Sequence, residues 1–565
     1  MHFGIMCTGT VFQKWQADAV LDLLKNGHRA QLLIIDDRRV EKSSGVRRIL
    51  KKKWRTFLFN TLENRIFKPA AKQPVDLKSE LQHIESICCH VNIKGYSEYF
   101  DEPDILTIRK FNLDFILRFG FNIIRGNILS AARYGVWSFH HDDEMTYRGG
   151  PAGFWEIYKG DRVSGAIMQR LTDKLDGGII LKKGYLKTSL HSYRENLGQL
   201  LSVSSSWPAM VANTIAKKHG ETTVEGVLPV LPPSKTSAPL YKVPDNMQML
   251  KFLWILFRNR IRFFYRNRVT AEIWNIGLVK KPLRELALEK EVLQDADITW
   301  LPEVPRTRYL ADPSGFMEEG RLHILSEDYS YTKKKAGILE TVCELDPFRF
   351  GIPGSVLGGS LHMSYPFILE HDGKVYCIPE SYQSSQITLY RREKPGGTFV
   401  RERVLLDDVA AVDPTLFFYH ERWWLFFTSR KNSNTHLFIY HSPDLAGEFH
   451  AHAQNPVKTD IRSSRPAGTP FFDRDQLYRP AQDCSVTYGG RIAINRVAKL
   501  SADDFFEETV HFIEPVKDSR YNQGLHTLSG VGNLTLIDGK RYQVNPLFSG
   551  WSIWKKQNRK GFGHV

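Results

Sequence analysis

A chain of 565 residues is too long for one hydrophobic core, and 42% hydrophobic with 25% charged residues excludes disorder on a large scale. The formal charge of +15 calls for anionic partners, yet no nucleic-acid-binding motif accompanies the basic clusters at 47–55 and 251–268, so nucleic acid is not expected. Six scattered cysteines without a CxxC pair, an N-terminus without a signal-peptide pattern and the lack of a long uncharged apolar run predict a cytoplasmic protein with free thiols and no metal.

Residues 2–7 form a short apolar strand, Gly9 marks a turn, and 15–24 carry helical periodicity. Residues 30–35 (AQLLII) read as a second buried strand, so the chain opens as a β-α-β unit of an open α/β sheet. The segment 40–74 is basic and aromatic and reads as an insertion. The sheet pattern resumes at Ile105 and at 114–118 (DFILR). Five prolines between Pro229 and Pro244 predict an extended linker. The apolar and basic segment 251–268 then reads as a helix. It is either an interdomain helix packed through Phe252, Leu256 and Phe263 or an amphipathic helix resting on an anionic membrane.

From Ile273 onward short strands alternate with turns. Ala311-Asp312-Pro313, Ser364-Tyr365-Pro366, Val412-Asp413-Pro414 and Gly468-Thr469-Pro470 each open a similar unit, with prolines 53, 48 and 56 residues apart. A period near 50 built of short strands suits a propeller blade, and 526–543 supplies a fifth unit. The expected organisation is multidomain. It has an α/β open-sheet domain at 1–225, a linker and basic helix at 226–272, an all-β five-bladed propeller at 273–550 and a tail at 551–565.

The stretch 135–181 carries the most specific pattern: His140, Arg148-Gly149, Gly160-Asp161, Met168-Gln169, and Leu175-Asp176 with Gly178. It resembles the formyl-tetrahydrofolate-dependent methionyl-tRNA and sugar formyltransferases, over roughly residues 1–215. The resemblance implies 10-formyltetrahydrofolate as formyl donor, His140 as proton carrier and Asp176 as its partner. It also implies a folate pocket lined by Arg118, Phe119, Gly120, Asn122, Gly126, Gly177 and Gly178. Formyl transfer develops negative charge on oxygen, and a positioned donor there is commonly worth several kcal/mol. The family places an asparagine amide at that point; this chain has Ser138.

In the C-terminal half Asp312 and Asp413 share the context Ala/Val-Asp-Pro just before an inner strand, Glu380 ends a strand in IPES and Asp483 stands in RPAQD. Radial symmetry sends equivalent positions toward one axis, so these carboxylates are expected to converge at one mouth. His362 and Arg465 add polar groups suited to sugar hydroxyls or phosphate. These segments resemble five-bladed propeller glycosidases, which use convergent acids. They also resemble the propeller-like domain of plant glucosamine inositolphosphorylceramide transferases. Against this stands the plainer reading that Asp-Pro caps a turn through its side chain.

Together these features predict formyl transfer to the amine of a nucleotide- or lipid-linked amino sugar in surface-glycan assembly. The propeller binds or processes the glycan, and peripheral contact with the inner membrane face accompanies it. The alternatives are a glycosidase or glycosyltransferase propeller with a non-catalytic first domain, and a carbohydrate-binding scaffold.

Overall fold

The computed structural model describes residues 1–36, 54–173, 177–217, 237–289, 293–545 and 547. The chain divides into two units, Met1–Arg260 and Ile261–Val565.

The first unit is built on a seven-stranded sheet. Its strands are β1 (His2–Cys7), β2 (Arg29–Asp36), β3 (Glu85–Cys89), β4 (Phe115–Arg118), β5 (Val136–His140), β6 (Val163–Arg170) and β7 (Ile179–Lys187), in the order β7-β6-β5-β4-β1-β2-β3. The five strands from β3 to β5 run parallel; β6 and β7 are antiparallel. Helix α1 (Lys14–Lys25) makes the β1-α1-β2 crossover and buries Trp15, Ala17, Ala19, Val20 and Leu23 on one face. The chain moves outward from β1 to β3 and then returns to the other side of β1 as β4. That reversal is the switch point at whose carboxyl ends open α/β sheets bind ligands. Ile105 lies in the helix Glu102–Arg109, not in a strand, and it buries with Ile108 against the sheet. A three-residue apolar spacing suits a helix as readily as a short strand, which is why the expectation missed there.

The end of the proline-rich segment is docked. Leu240–Tyr241 pairs in parallel with Arg148–Gly149. Helix α2 (Asn246–Phe264) starts at a capping box, with Asp245 Oδ1 accepting from Gln248 N and Gln248 Oε1 accepting from Asp245 N, both at 2.9 Å. Its Met249, Phe252 and Ile255 join the core around Phe154 and Tyr193, with Leu256 partly buried beside them. Phe263, expected to pack, is 48% exposed.

The second unit contains five antiparallel sheets among the described residues. Four follow chain order and begin with the strands Arg308–Glu318, Ser364–His371, Ala411–Tyr419 and Phe471–Asp473. The fifth joins the unit's two ends: Thr270–Val279 pairs antiparallel with Leu534–Val544, from Thr270 opposite Val544 to Val279 opposite Thr535. The recurrent xxP units have a common backbone explanation. Asp312 (φ 51°), Tyr365 (φ 43°), Asp413 (φ 51°) and Gly468 (φ 104°) all adopt left-handed conformation just before or near a proline. The first three coincide with a register shift in the strand. Such a bulge re-aims one side chain out of the pleat, and an uncommon conformation repeated at three non-glycine residues has to be held by surrounding contacts.

Candidate functional site

In the first unit Ser138 and His140 stand two residues apart on β5 and share one face, while Phe139 and His141 point to the other. His141 is spent on packing. It lies 5.0 Å edge-on to Trp15, contacts Ser204 Oγ at 3.0 Å, and burial pulls its pKa down to about 3. His140 Nε2 donates to the Tyr147 carbonyl at 3.3 Å, which assigns the lone pair of the neutral ring to Nδ1.

Ser138 is 1% exposed, and its hydroxyl oxygen accepts two hydrogen bonds from one guanidinium, Arg118 Nε at 3.1 Å and Nη2 at 2.8 Å. Arg118, the last residue of β4, also donates through Nη1 to the carbonyls of Phe121 (3.1 Å) and Asn122 (2.5 Å). Burial lowers the Arg118 pKa, and Glu98 opposes that shift. A hydroxyl whose two lone pairs are taken by cationic donors has its own O–H left to give, polarised by the charge behind it.

Other residues expected to line the folate pocket are engaged by the protein itself. Phe119 stacks on Phe139 at 6.0 Å and meets Trp15 edge-on at 5.6 Å, inside an aromatic cluster. A Cβ on Gly120 would come within 3.1 Å of the Cys7 backbone, so this glycine lets the β4 loop close onto the end of β1. Asn122 gives both its backbone N (2.8 Å) and its side-chain amide (2.6 Å) to Glu98. Gly126 N donates to Asp173 Oδ1 at 3.0 Å. A Cβ on Gly178 would fall 2.2 Å from Gln169 Oε1, and the Gly177 carbonyl accepts from Thr172 Oγ1 at 2.9 Å. The groups aimed at the carboxyl end of the sheet are thus Arg118, Ser138 and His140. Asp176 lies outside the described residues.

In the second unit the left-handed residues bring a polar centre together. Asp312 Oδ2 accepts from Tyr365 N (3.3 Å) of the next sheet, and its Oδ1 accepts from Thr527 Oγ1 (3.3 Å). His526 stands 3.3 Å from Asp312 Oδ1 and 2.5 Å from Asp538 Oδ2, with its ring stacked 3.9 Å from Trp274. Glu380 Oε2 accepts from Asp413 N at 3.2 Å. Arg465 grips Asp413 with Nε to Oδ2 at 2.5 Å and Nη2 to Oδ1 at 3.1 Å, and Gln482 adds a third donor to Oδ2 at 2.9 Å. Asp312 and Asp413 therefore bind across sheets and do not cap their own turns.

Glu327 also belongs to this centre. It is 7% exposed and hydrogen-bonds Asp312. Burial first, then the neighbouring carboxylates, push Glu327 and Glu380 well above the usual range, and Asp312 is pushed up to about 6. Burial lowers His526, but Asp538 and Asp312 more than offset it and raise its pKa above the ordinary histidine value. The site thus offers two carboxyl pairs, Glu327–Asp312 and Glu380–Asp413, in which Glu327, Glu380 and Asp312 are all displaced toward the protonated form. Half-buried Tyr309, Tyr329, Tyr331, Tyr382 and Tyr488 surround it. His362 is at that rim, its ring 6.5 Å from Tyr329 and 5.7 Å from Tyr382.

Asp483 corrects the expectation. It accepts from Arg491 Nε at 2.8 Å and Ser485 N at 2.9 Å and is not among the main charges acting on Asp312 or Glu380. Strand side chains alternate, and since Gln482 faces Asp413, Asp483 faces away. Glu327 was missed although a signal existed. It lies 53 residues before Glu380, the same offset that separates Pro313 from Pro366, and it pairs opposite Ala311 as Glu380 pairs opposite Ser364.

Comparison with known proteins gives matches of two kinds. A family described as "Glucosamine inositolphosphorylceramide transferase 1, N-terminal" matches residues 301–530. The Glucosamine inositolphosphorylceramide transferase 1 of Oryza sativa subsp. japonica is 28% identical over 252 residues, 42% of this chain and 34% of its own length. A methionyl-tRNA formyltransferase of Prochlorococcus marinus is 30% identical over 102 residues, 18% of this chain and 30% of that protein. The chain thus spans about a third of the length of these relatives. Among solved structures, Zg3597, a family 117 glycoside hydrolase of Zobellia galactanivorans, is 14% identical, covering 45% of this chain and 95% of that one with a TM-score of 0.31.

Proposed function

We propose that the chain is a carbohydrate-modifying transferase of two parts. The first unit moves a formyl group from 10-formyltetrahydrofolate to the amine of a nucleotide- or lipid-linked amino sugar. The second, arranged as a five-bladed propeller, holds the glycan at its acid and tyrosine centre. The observation that carries the first part is the double hydrogen bond from Arg118 to Ser138 beside His140 at the switch point of the sheet.

The donor, when bound, supplies an activated formyl carbon. A polarised hydroxyl and an imidazole are the two groups formyl transfer asks of the protein, so the donor set fits that end of the ligand. Ser138 gives its proton as a hydrogen bond to the oxygen that gains charge, and Arg118 behind it takes the place of the family's neutral amide as the source of polarisation. His140, through Nδ1, takes a proton from the attacking amine and would return it to the folate nitrogen as the bond to the formyl carbon breaks, which leaves the imidazole neutral again. Arg118 is already ordered by the two carbonyls of the β4 loop, so no side chain has to reorganise when charge appears.

The experiment is incubation of the full chain with 10-formyltetrahydrofolate and a panel of nucleotide-linked amino sugars, with the product read by mass spectrometry. Transfer that is lost in His140→Ala is the expected result. A wild-type protein inactive on every acceptor sinks the formyl-transfer reading.

A second reading rests on the proton-holding pair Glu327–Asp312. Such a carboxyl protonates a leaving oxygen, and the second unit then cleaves or transfers glycosidic linkages while the first only binds. Aryl-glycoside turnover abolished by Glu327→Gln, with no formyl transfer, is the result that favours it.

A further inference from the structure

Helix α2 has two apolar faces, and among the described residues only one of them is packed against the protein. Met249, Phe252 and Ile255 are buried in the core of the first unit. On the opposite side Met247, Leu250, Trp254, Phe257, Ile261 and Phe264 recur at alternating spacings of three and four, forming one continuous stripe. All six are exposed, Trp254 by 59% and Phe257 by 64%. Beside the helix start, Trp54 (74% exposed) and Phe57 stack at 6.0 Å and widen the patch; Asn246 fixes them by accepting from Leu58 N and donating to the Trp54 carbonyl. An exposed apolar area of this continuity is uncommon on a protein that meets only water.

The charge around the stripe says what it meets. From Asn246 to Ala271 the chain has no acidic residue and six cations: Lys251, Arg258, Arg260, Arg262, Arg266 and Arg268. At 3.6 residues per turn Lys251, Arg258 and Arg262 form a row along one flank of the stripe, and Arg260 lies on the other. Arg258 lies 5.1 Å over the Trp254 ring, keeping its charge beside the apolar surface. Long cationic side chains at the border of an aromatic stripe let the apolar face sink between acyl chains while the charges stay at headgroup level. Among the described residues no helix is long and apolar enough to cross a membrane.

We propose that the outward face of α2, with Trp54 and Phe57, is a membrane-surface site for anionic phospholipid. A second protein would match the apolar stripe, but a cationic border without a single acid complements a phosphate-rich plane.

The test is sedimentation of the full chain with phosphatidylcholine vesicles with and without phosphatidylglycerol. The expected result is binding to the anionic vesicles that weakens with salt. It falls on the order of tenfold or more in Trp254→Glu/Phe257→Glu, and Arg258→Gln/Arg262→Gln loses the salt-sensitive part. Trp254 and Phe257 are solvent-facing, so thermal unfolding of their double variant should be unchanged; if a variant is unstable, quenching of wild-type tryptophan fluorescence by brominated lipid reads the same contact. Failure to bind anionic vesicles, or binding unchanged in the Trp254/Phe257 variant, overturns the proposal. So does a wild-type oligomer that this variant dissociates while vesicles stay unbound, because the stripe then covers a second copy.

Discussion

Arg465 closes a two-point clamp on Asp413, a residue from the preceding sheet held at φ 51°, and both partners are buried. Burial alone would lower the Arg465 pKa; Asp413, then Tyr488 and Glu380, raise it well past its ordinary value. This makes Asp413 an anchor for the cation, and leaves Glu327–Asp312 as the more available proton source. Asp413→Asn keeps the left-handed conformation, which asparagine tolerates, but leaves the buried charge of Arg465 without its counter-charge. The expected loss of stability is about 3–5 kcal/mol by denaturant titration, and Asp413→Asn/Arg465→Met should cost less than the two single changes added together.

The pair Arg118–Ser138 makes a matching prediction for the first unit. Ser138→Ala should lower kcat for formyl transfer by about 10²–10³ with a small change in KM. Arg118→Met should cost a similar factor, and the double variant little more than either, since the two act as one donor. Ser138→Asn tests the same point from the other side. If the amide enters without displacing Arg118, kcat should rise by up to about tenfold; a rise in KM alone would mean that serine makes room for the acceptor.

Stability should fall as pH rises through the range where the buried acids titrate. Asp312 is protonated in the folded protein up to about 6, above its value in the unfolded chain, so the folded state binds the extra proton between the two values. Stability contributed this way is full at low pH and lost as pH climbs past 6. His526 has the same sign: its raised pKa stabilises below the unfolded value and the effect fades as pH rises through the folded one. Melting curves at pH 5 and pH 7 should show wild type losing about 1 kcal/mol or more relative to Asp312→Asn. Parallel curves for the two proteins would refute the shared proton.

Gly468 is the fourth left-handed residue of the series and the one without a side chain. A Cβ there would lie 1.9 Å from the Leu528 carbonyl oxygen, and Gly468 N donates to Tyr365 Oη at 2.8 Å. Gly468→Ala adds both a backbone penalty and a clash with main chain, so a loss of more than about 3 kcal/mol or failure to fold is expected. Tyr365→Phe, which only removes the hydroxyl shared with Thr415 and Gly468, should cost about 1–2 kcal/mol in the same titration.

The sequence by itself determined what periodicity and covalent geometry can encode. The apolar strand, helix, apolar strand of residues 2–36 appears as β1-α1-β2, and the spaced xxP units mark four of the bulged or left-handed strand positions. That Ser138 stands two residues before His140, where the resembling family has its asparagine, was legible too, and strand alternation then puts both on one face. Tertiary structure decided which side chains those positions meet. Nothing local says that Arg118 on β4 reaches Ser138 on β5, since parallel neighbours are set by crossovers and not by sequence proximity. Nothing local distinguishes Asp483 from Gln482 as the residue that faces Asp413; one step of register reverses the faces of a strand. The outward stripe of α2 was present in the sequence as apolar residues at helical spacing. Only the burial of Met249, Phe252 and Ile255 on the other side shows that this second face has no partner within the described residues.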